Sequence, residues 1–239
     1  MTKSEPNQRI ERVGYNTQRV SSGRVSIAVY QPRYYPRLHY LARAKMVEKF
    51  VLYDDVEFSR QSPQHRARID FGGKKWLTVP VKHTGNETLI CNAEIDMSQR
   101  WRSTHLNTLM AKYGGKAAAE FEPFYEALDT TARLVDLTIP LLYDLFDRFE
   151  VDTEIVQSSA LSYVRAEDPS ENLARLVSDL GGDEYVSGGR GYENYLDEEP
   201  FETRDIGVRI QDWTPTWVDG NVCALDVLFN GENPPAYIT

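Results

Sequence analysis

The chain has 239 residues, 41% of them hydrophobic and 26% charged, with a formal net charge of −9 and a pI near 5.0. That length suffices for one large domain with a substantial core. It carries no apolar stretch approaching the roughly 20 residues of a membrane helix and no signal-peptide core, so the expected compartment is the cytoplasm.

Residues 1–23 are rich in Asn, Gln, Ser and Arg without sustained periodicity and are expected to form a flexible leader before a single domain over 24–239. From Val25 the run Val-Ser-Ile-Ala-Val-Tyr is β-rich and ends at Gln31-Pro32, the pattern of a buried strand. Pro36 permits a helix from about Arg37, with Leu38, Leu41 and Ala42 at helical spacing; Phe50-Val51-Leu52-Tyr53 is a second strand stopped by Asp54-Asp55. Strand, helix, strand in this order predicts a βαβ unit with parallel strands. Residues 67–71 and 75–81 read as a hairpin turned by Gly72-Gly73. Helices are predicted over 101–113 and 121–149, the second divided or kinked by Pro140, making a helical lobe over about 100–150. Strands at 153–157, 184–187 and 207–211 then alternate with helices at 170–180 and 192–201, returning the chain to the sheet. The predicted fold is therefore α/β: a mostly parallel sheet flanked by helices, with a β-hairpin and a helical lobe inserted.

Between Gln31 and His83 the chain carries eleven Lys/Arg against five Asp/Glu, a basic island in an acidic protein. Such an excess points to an anionic ligand, while pairing with acidic neighbours on the folded surface is the plainer reading. Ligands of open α/β sheets gather beyond the carboxyl ends of the strands. Gln31, Asp54-Asp55, Ser158-Ser159 and Ser187-Gly188-Gly189 each follow a predicted strand, although loops are polar in any such protein. Gly188-Gly189-Arg190-Gly191 lets backbone approach a ligand and offers Arg190 to a phosphate or carboxylate, but it is neither GxGxxG nor a P-loop.

Arg33, Arg66 and Arg68 are the expected anion-binding residues, with His39 and Gln64 beside them in the basic island. Asp54 or His65 would move a proton, and Asp55 would bind a cation or amine. Gln31 would orient an acceptor, and Ser158 and Ser159 would hydrogen-bond the ligand, since no GxSxG elbow marks a nucleophile. Tyr34 and Tyr35, with Tyr30 and Tyr40, could stack on a sugar or base, or pack the core. None of His39, His65, His83 and His105 forms an HxxxH or HExxH pair, and no metal site is predicted. Cys91 and Cys223 lie far apart outside any CxxC spacing and read as small apolar residues. The cofactor is left open.

A series of segments, taken in order, resembles the WbqC-like family over about residues 26–230. It begins with Gln31-Pro32-Arg33-Tyr34-Tyr35-Pro36 and Tyr40, then Tyr53-Asp54-Asp55-Val56-Glu57-Phe58 and Gln64-His65-Arg66-Ala67-Arg68-Ile69. Trp76-Leu77-Thr78-Val79-Pro80-Val81, Ser158-Ser159 and Tyr185-Val186-Ser187-Gly188-Gly189 with Tyr195-Leu196 complete it. The chain departs from many members at Arg37-Leu38-His39-Tyr40, where they read Trp-x-Gly-Tyr, and at His65-Arg66, where they read Asn-Arg. The resemblance implies a transferase that builds or decorates surface glycans by attaching an acyl or aminoacyl group to an amino sugar. The expected partner is an anionic small molecule, a nucleotide-sugar or other phosphorylated compound, with no nucleic acid and no membrane insertion. Two rival readings stand beside it. The first strand followed by a loop with His39 resembles the HUP nucleotide-binding fold, without its HxGH pair, which would make a nucleotidyltransferase or adenylating ligase. A noncatalytic glycan- or nucleotide-binding partner is the other.

Overall fold

The computed structural model describes residues 23–70, 72–82, 88–214 and 223–239. The chain runs through β1 (Ser26–Tyr30), α1 (Leu38–Lys45) and β2 (Lys49–Leu52), then the strands β3 (Arg66–Asp70) and β4 (Lys74–Thr78). The helices α2 (Trp101–Tyr113), α3 (Gly115–Glu126) and α4 (Leu134–Arg148) follow. The last part is β5 (Glu154–Gln157), α5 (Pro169–Asp179), β6 (Glu184–Ser187), α6 (Gly189–Tyr195), α7 (Glu199–Glu202), β7 (Gly207–Ile210) and α8 (Ala224–Asn230). Of the expected features, the leader apart from Gly23, Phe71, His83 and the side chain of Arg190 lie outside the described residues.

Five strands form one sheet in the order β5-β2-β1-β6-β7, and every pairing in it is parallel. β3 and β4 form a separate antiparallel hairpin with Arg68 opposite Trp76. Its turn is made by Gly72 and Gly73 at φ +63° and +134°, which side chains rarely adopt. The α/β class expected from the sequence is thus the observed one.

Alternation along β1 divides the core between the two sheet faces. Ile27 and Val29 pack with Ala174, Leu176 and Val177 of α5 and Phe201 of α7. Ala28 belongs to the other face, with Leu38, Tyr40 and Leu41 of α1 and Leu142, Leu145 and Phe146 of α4. Each large apolar side chain buried this way contributes about 1.5–3 kcal/mol. α5 starts where its chemistry directs: Asp168 accepts from the Glu171 amide at 2.8 Å and Pro169 occupies the first turn.

Two expected helices are corrected. Pro140 does not divide the lobe; it lies inside a continuous α4, and the break falls at residues 127–133. There Asp129 accepts from the Thr131 amide at 2.7 Å and Asp136 accepts from the Arg133 amide at 2.7 Å, so side-chain capping sets the boundary. The helix expected over 192–201 is two short ones, α6 and α7, separated around Asp197, which receives no helical continuation and whose carboxylate accepts from the Glu199 amide instead. Cys223 is buried and Cys91 half-buried, both as free thiols. Among the described residues no helix is long and apolar enough to cross a membrane.

Candidate functional site

The sheet begins at β1, builds outward through β2 to β5, and returns to the opposite side of β1 as β6 and β7. Strand order therefore reverses between β1 and β6, the position at which doubly wound sheets bind ligands in a crevice beyond the carboxyl ends of the strands. A hollow of about 320 Å³ lies instead at the amino ends, lined by Gly23, Arg24, Asp183, Asp205 and Gly207. Doubly wound sheets bind at the other edge, so the carboxyl ends define the candidate site. They carry three polar groups.

The first joins the ends of β2 and β5. Asp54 is fully buried, and its carboxylate accepts from the Ser159 backbone amide at 2.9 Å, the Ser159 hydroxyl at 2.8 Å and the Gln157 side-chain amide at 2.6 Å, with the Ser158 hydroxyl oxygen 3.1 Å away. Asp55 accepts from Ser158 at 2.5 Å and from Tyr163 at 2.8 Å, and pairs with Arg165 at 2.8 Å. Ser158 in turn accepts from the Asp54 amide at 3.0 Å. These groups engage one another, so Asp54, Asp55 and Ser158 clamp the ends of the two strands together. Cys91 sits beside them; burial, then the charges of Asp54 and Asp55, raise its thiol above the usual range and leave it a poor nucleophile.

The second group is the root of the hairpin. Gln64 donates to the Gln31 side chain, and the His65 ring has Nδ1 2.8 Å from the Val79 carbonyl and Nε2 2.9 Å from the Arg60 carbonyl. With both nitrogens within hydrogen-bond distance of backbone oxygens, His65 anchors the hairpin. Arg66 lies 4.6 Å from the centre of the Trp76 ring and donates to the Gln61 carbonyl. Arg66 and Arg68 thus belong to the outer face of the hairpin, whose inner residues Ala67, Ile69 and Leu77 are buried.

The third group is the β1–β6 crevice. Arg33 donates to the Tyr30 hydroxyl, and its Nη1 lies 3.5 Å from His39 Nε2. Ser187 and Gly188 close the opposite wall, with Gly189 opening α6 against Ile210 of β7. Arg43 and Gln211 belong here as well, and neither was expected. A usable signal existed for Arg43, which stands four residues after His39 and so shares its helix face. Gln211, 168 positions away, offered none.

Tyr34 and Tyr35 are corrected to core residues, 0% and 2% exposed. Their hydroxyls meet the Tyr125 hydroxyl at 2.5 and 2.8 Å, and Tyr34 also meets His105 Nδ1 at 2.8 Å. Burial raises both phenols well above their usual range and lowers His105 to about 4, so this cluster is neutral.

A parallel sheet with helices on both faces and polar side chains gathered where its order reverses defines a doubly wound α/β protein. The chain belongs to the WbqC-like protein family, whose sequence pattern matches residues 31–234. It is similar to "Uncharacterized protein Rv1507c" of Mycobacterium tuberculosis, with 29% identity over 229 residues that span 89% of this chain and 96% of the relative. No solved structure matches it at a significant level.

Proposed function

We propose that the protein is a transferase of surface-glycan biosynthesis that binds a nucleotide-linked amino sugar in the β1–β6 crevice and moves an acyl or aminoacyl group onto its amine. The observation that carries this reading is the reversal of strand order between β1 and β6, with Gln31, Arg33 and Gly188 following the strand ends and His39 in the first turn of α1. The glycan setting rests on the resemblance to WbqC-like proteins.

In such a transfer the amine lone pair forms the new bond to the acyl carbon, the leaving group departs with the electrons of its own bond, and a base takes the amine proton. Gln31, held by Gln64, orients the acceptor beside Arg33 and His39. Arg33 contributes charge for the anionic part of the ligand. Asp54 and His65, engaged from within the chain, hold the scaffold.

The test is calorimetry and product analysis with a panel of nucleotide-linked amino sugars and acyl donors. Binding of one such sugar, weakened about tenfold or more in Arg33→Ala, is expected. No binding by any member at millimolar concentration overturns the reading. A second reading, nucleotidyl transfer, is favoured by the strand order itself, which matches the first five positions of the dinucleotide-binding arrangement. Metal-stimulated release of pyrophosphate from a nucleoside triphosphate would select it.

A further inference from the structure

Arg43 is 5% exposed, deeper than any other described arginine, and it lies on the inner side of α1 next to the β1–β6 crevice. Its Nε and Nη2 both donate to Gln211 Oε1, at 2.9 and 2.8 Å, and its guanidinium carbon is 4.6 Å from the centre of the Tyr30 ring. Arg33 approaches the same ring to 4.4 Å. Among the described residues neither arginine pairs with a carboxylate. A guanidinium withdrawn from water is strongly unfavourable without a compensating anion, and two around one phenol ring also repel each other. Burial pulls Arg43 below the usual arginine range and Arg33 pulls the same way, while Tyr30 and Tyr185 oppose them in part.

The opposite wall is shaped around this cation. A β-carbon on Gly188 would stand 2.2 Å from Arg43 Nη2 and 3.0 Å from its guanidinium carbon. Gly188 has φ −86° and ψ 146°, extended backbone open to any residue, so its conformation does not call for glycine. Space for the guanidinium does. Gln211, which aims that guanidinium, is fixed in turn by donating from Nε2 to the His39 carbonyl at 2.9 Å.

We propose that Arg43 and Arg33 are the anchor for a diphosphate group, of the kind carried by nucleoside diphosphates, bound at the ends of β1 and β6 on the side of the guanidinium groups away from Gly188. Guanidinium groups present paired N–H donors to phosphate oxygens, and two cations match a group with at least two negative charges. Gln211 is a positioning residue that holds Arg43 at the required angle. The inference rests on the crevice reading above and narrows its anionic ligand to a diphosphate.

The experiment is titration calorimetry of the full chain with inorganic pyrophosphate, inorganic phosphate and a nucleoside diphosphate, with thermal melting of every variant. Pyrophosphate is expected to bind at least about tenfold tighter than phosphate. Arg43→Met should weaken pyrophosphate binding by about 10- to 100-fold, with its melting transition showing that the variant is folded. Gly188→Ala should show the same loss with Arg43 still present, since the added carbon displaces the guanidinium. Pyrophosphate affinity within twofold of wild type in folded Gly188→Ala overturns the proposal, whether or not Arg43→Met folds. Nucleotide-sugar binding indifferent to Arg43 would leave the transferase reading standing and remove this one. Arg43-dependent pyrophosphate binding with no nucleotide-sugar bound would do the reverse.

Discussion

Gln64 donates from its side-chain nitrogen to the side-chain oxygen of Gln31 at 2.9 Å, and this bond ties the root of the hairpin to the end of β1. Gln64 is 2% exposed, and its own oxygen accepts from the Ser59 amide at 2.8 Å, so the group is held at both ends. Because the Tyr34 amide also donates to the Pro63 carbonyl at 3.2 Å, the basic hairpin is attached directly beside the crevice.

Gln64→Ala should remove the bond, leave the Ser59 amide without its partner and lower stability by about 1–3 kcal/mol. Ligand affinity should fall too, since Gln31 loses its orientation. Urea unfolding with calorimetry checks both; an unchanged urea midpoint would show that the bond contributes nothing to the hairpin's attachment.

Asp54→Ala should destabilise the fold by about 1–3 kcal/mol for each buried donor left unsatisfied, and Ser158→Ala by less, because Ser159 and Gln157 still hold Asp54. The measurement is equilibrium unfolding of both variants beside their ligand affinity. A clamp predicts lost stability with affinity retained by the folded fraction; the opposite split would return Asp54 to the chemistry.

His105 supplies a pH dependence. Its folded value of about 4, set by burial, lies below the ordinary histidine range near 6.5, so the unfolded chain binds the extra proton first. The neutral ring's contribution is therefore fully present above about pH 6.5 and is lost as pH falls toward 4, about 3 kcal/mol in all. Unfolding free energies of wild type and His105→Phe at pH 7 and pH 4.5 test this: the wild type should lose more across the interval. Equal losses would show that His105 is not responsible.

Gly182 packs where α5 meets β1, and a β-carbon there would stand 2.7 Å from Ile27 Cδ1 and 2.8 Å from Val177 Cγ1. Gly182→Ala should cost about 1–3 kcal/mol by overpacking, and Gly182→Ala with Ile27→Val should recover part of it. Chemical denaturation of the single and double variants decides; additive losses would mean that Ile27 is not the obstructing group.

Strand and helix positions were legible in the sequence because they depend on residues a few places apart: β1, β2, α2 and β6 lie where apolar period, proline and glycine put them. The break between α3 and α4 was not, because side-chain capping at Asp129 and Asp136 overrode the expected effect of Pro140. The basic island was visible too, but its division was not. Ridding Asp54 and His65 of an open lone pair or ring nitrogen required donors and carbonyls from other elements, and burying Tyr34 and Tyr35 required the helical lobe. Gly188 shows the limit most plainly. Its place after a strand could be read from the sequence, whereas its purpose, room for the guanidinium of Arg43, exists only once β6 and α1 lie side by side, because charge compensation and close packing are set by distance in space.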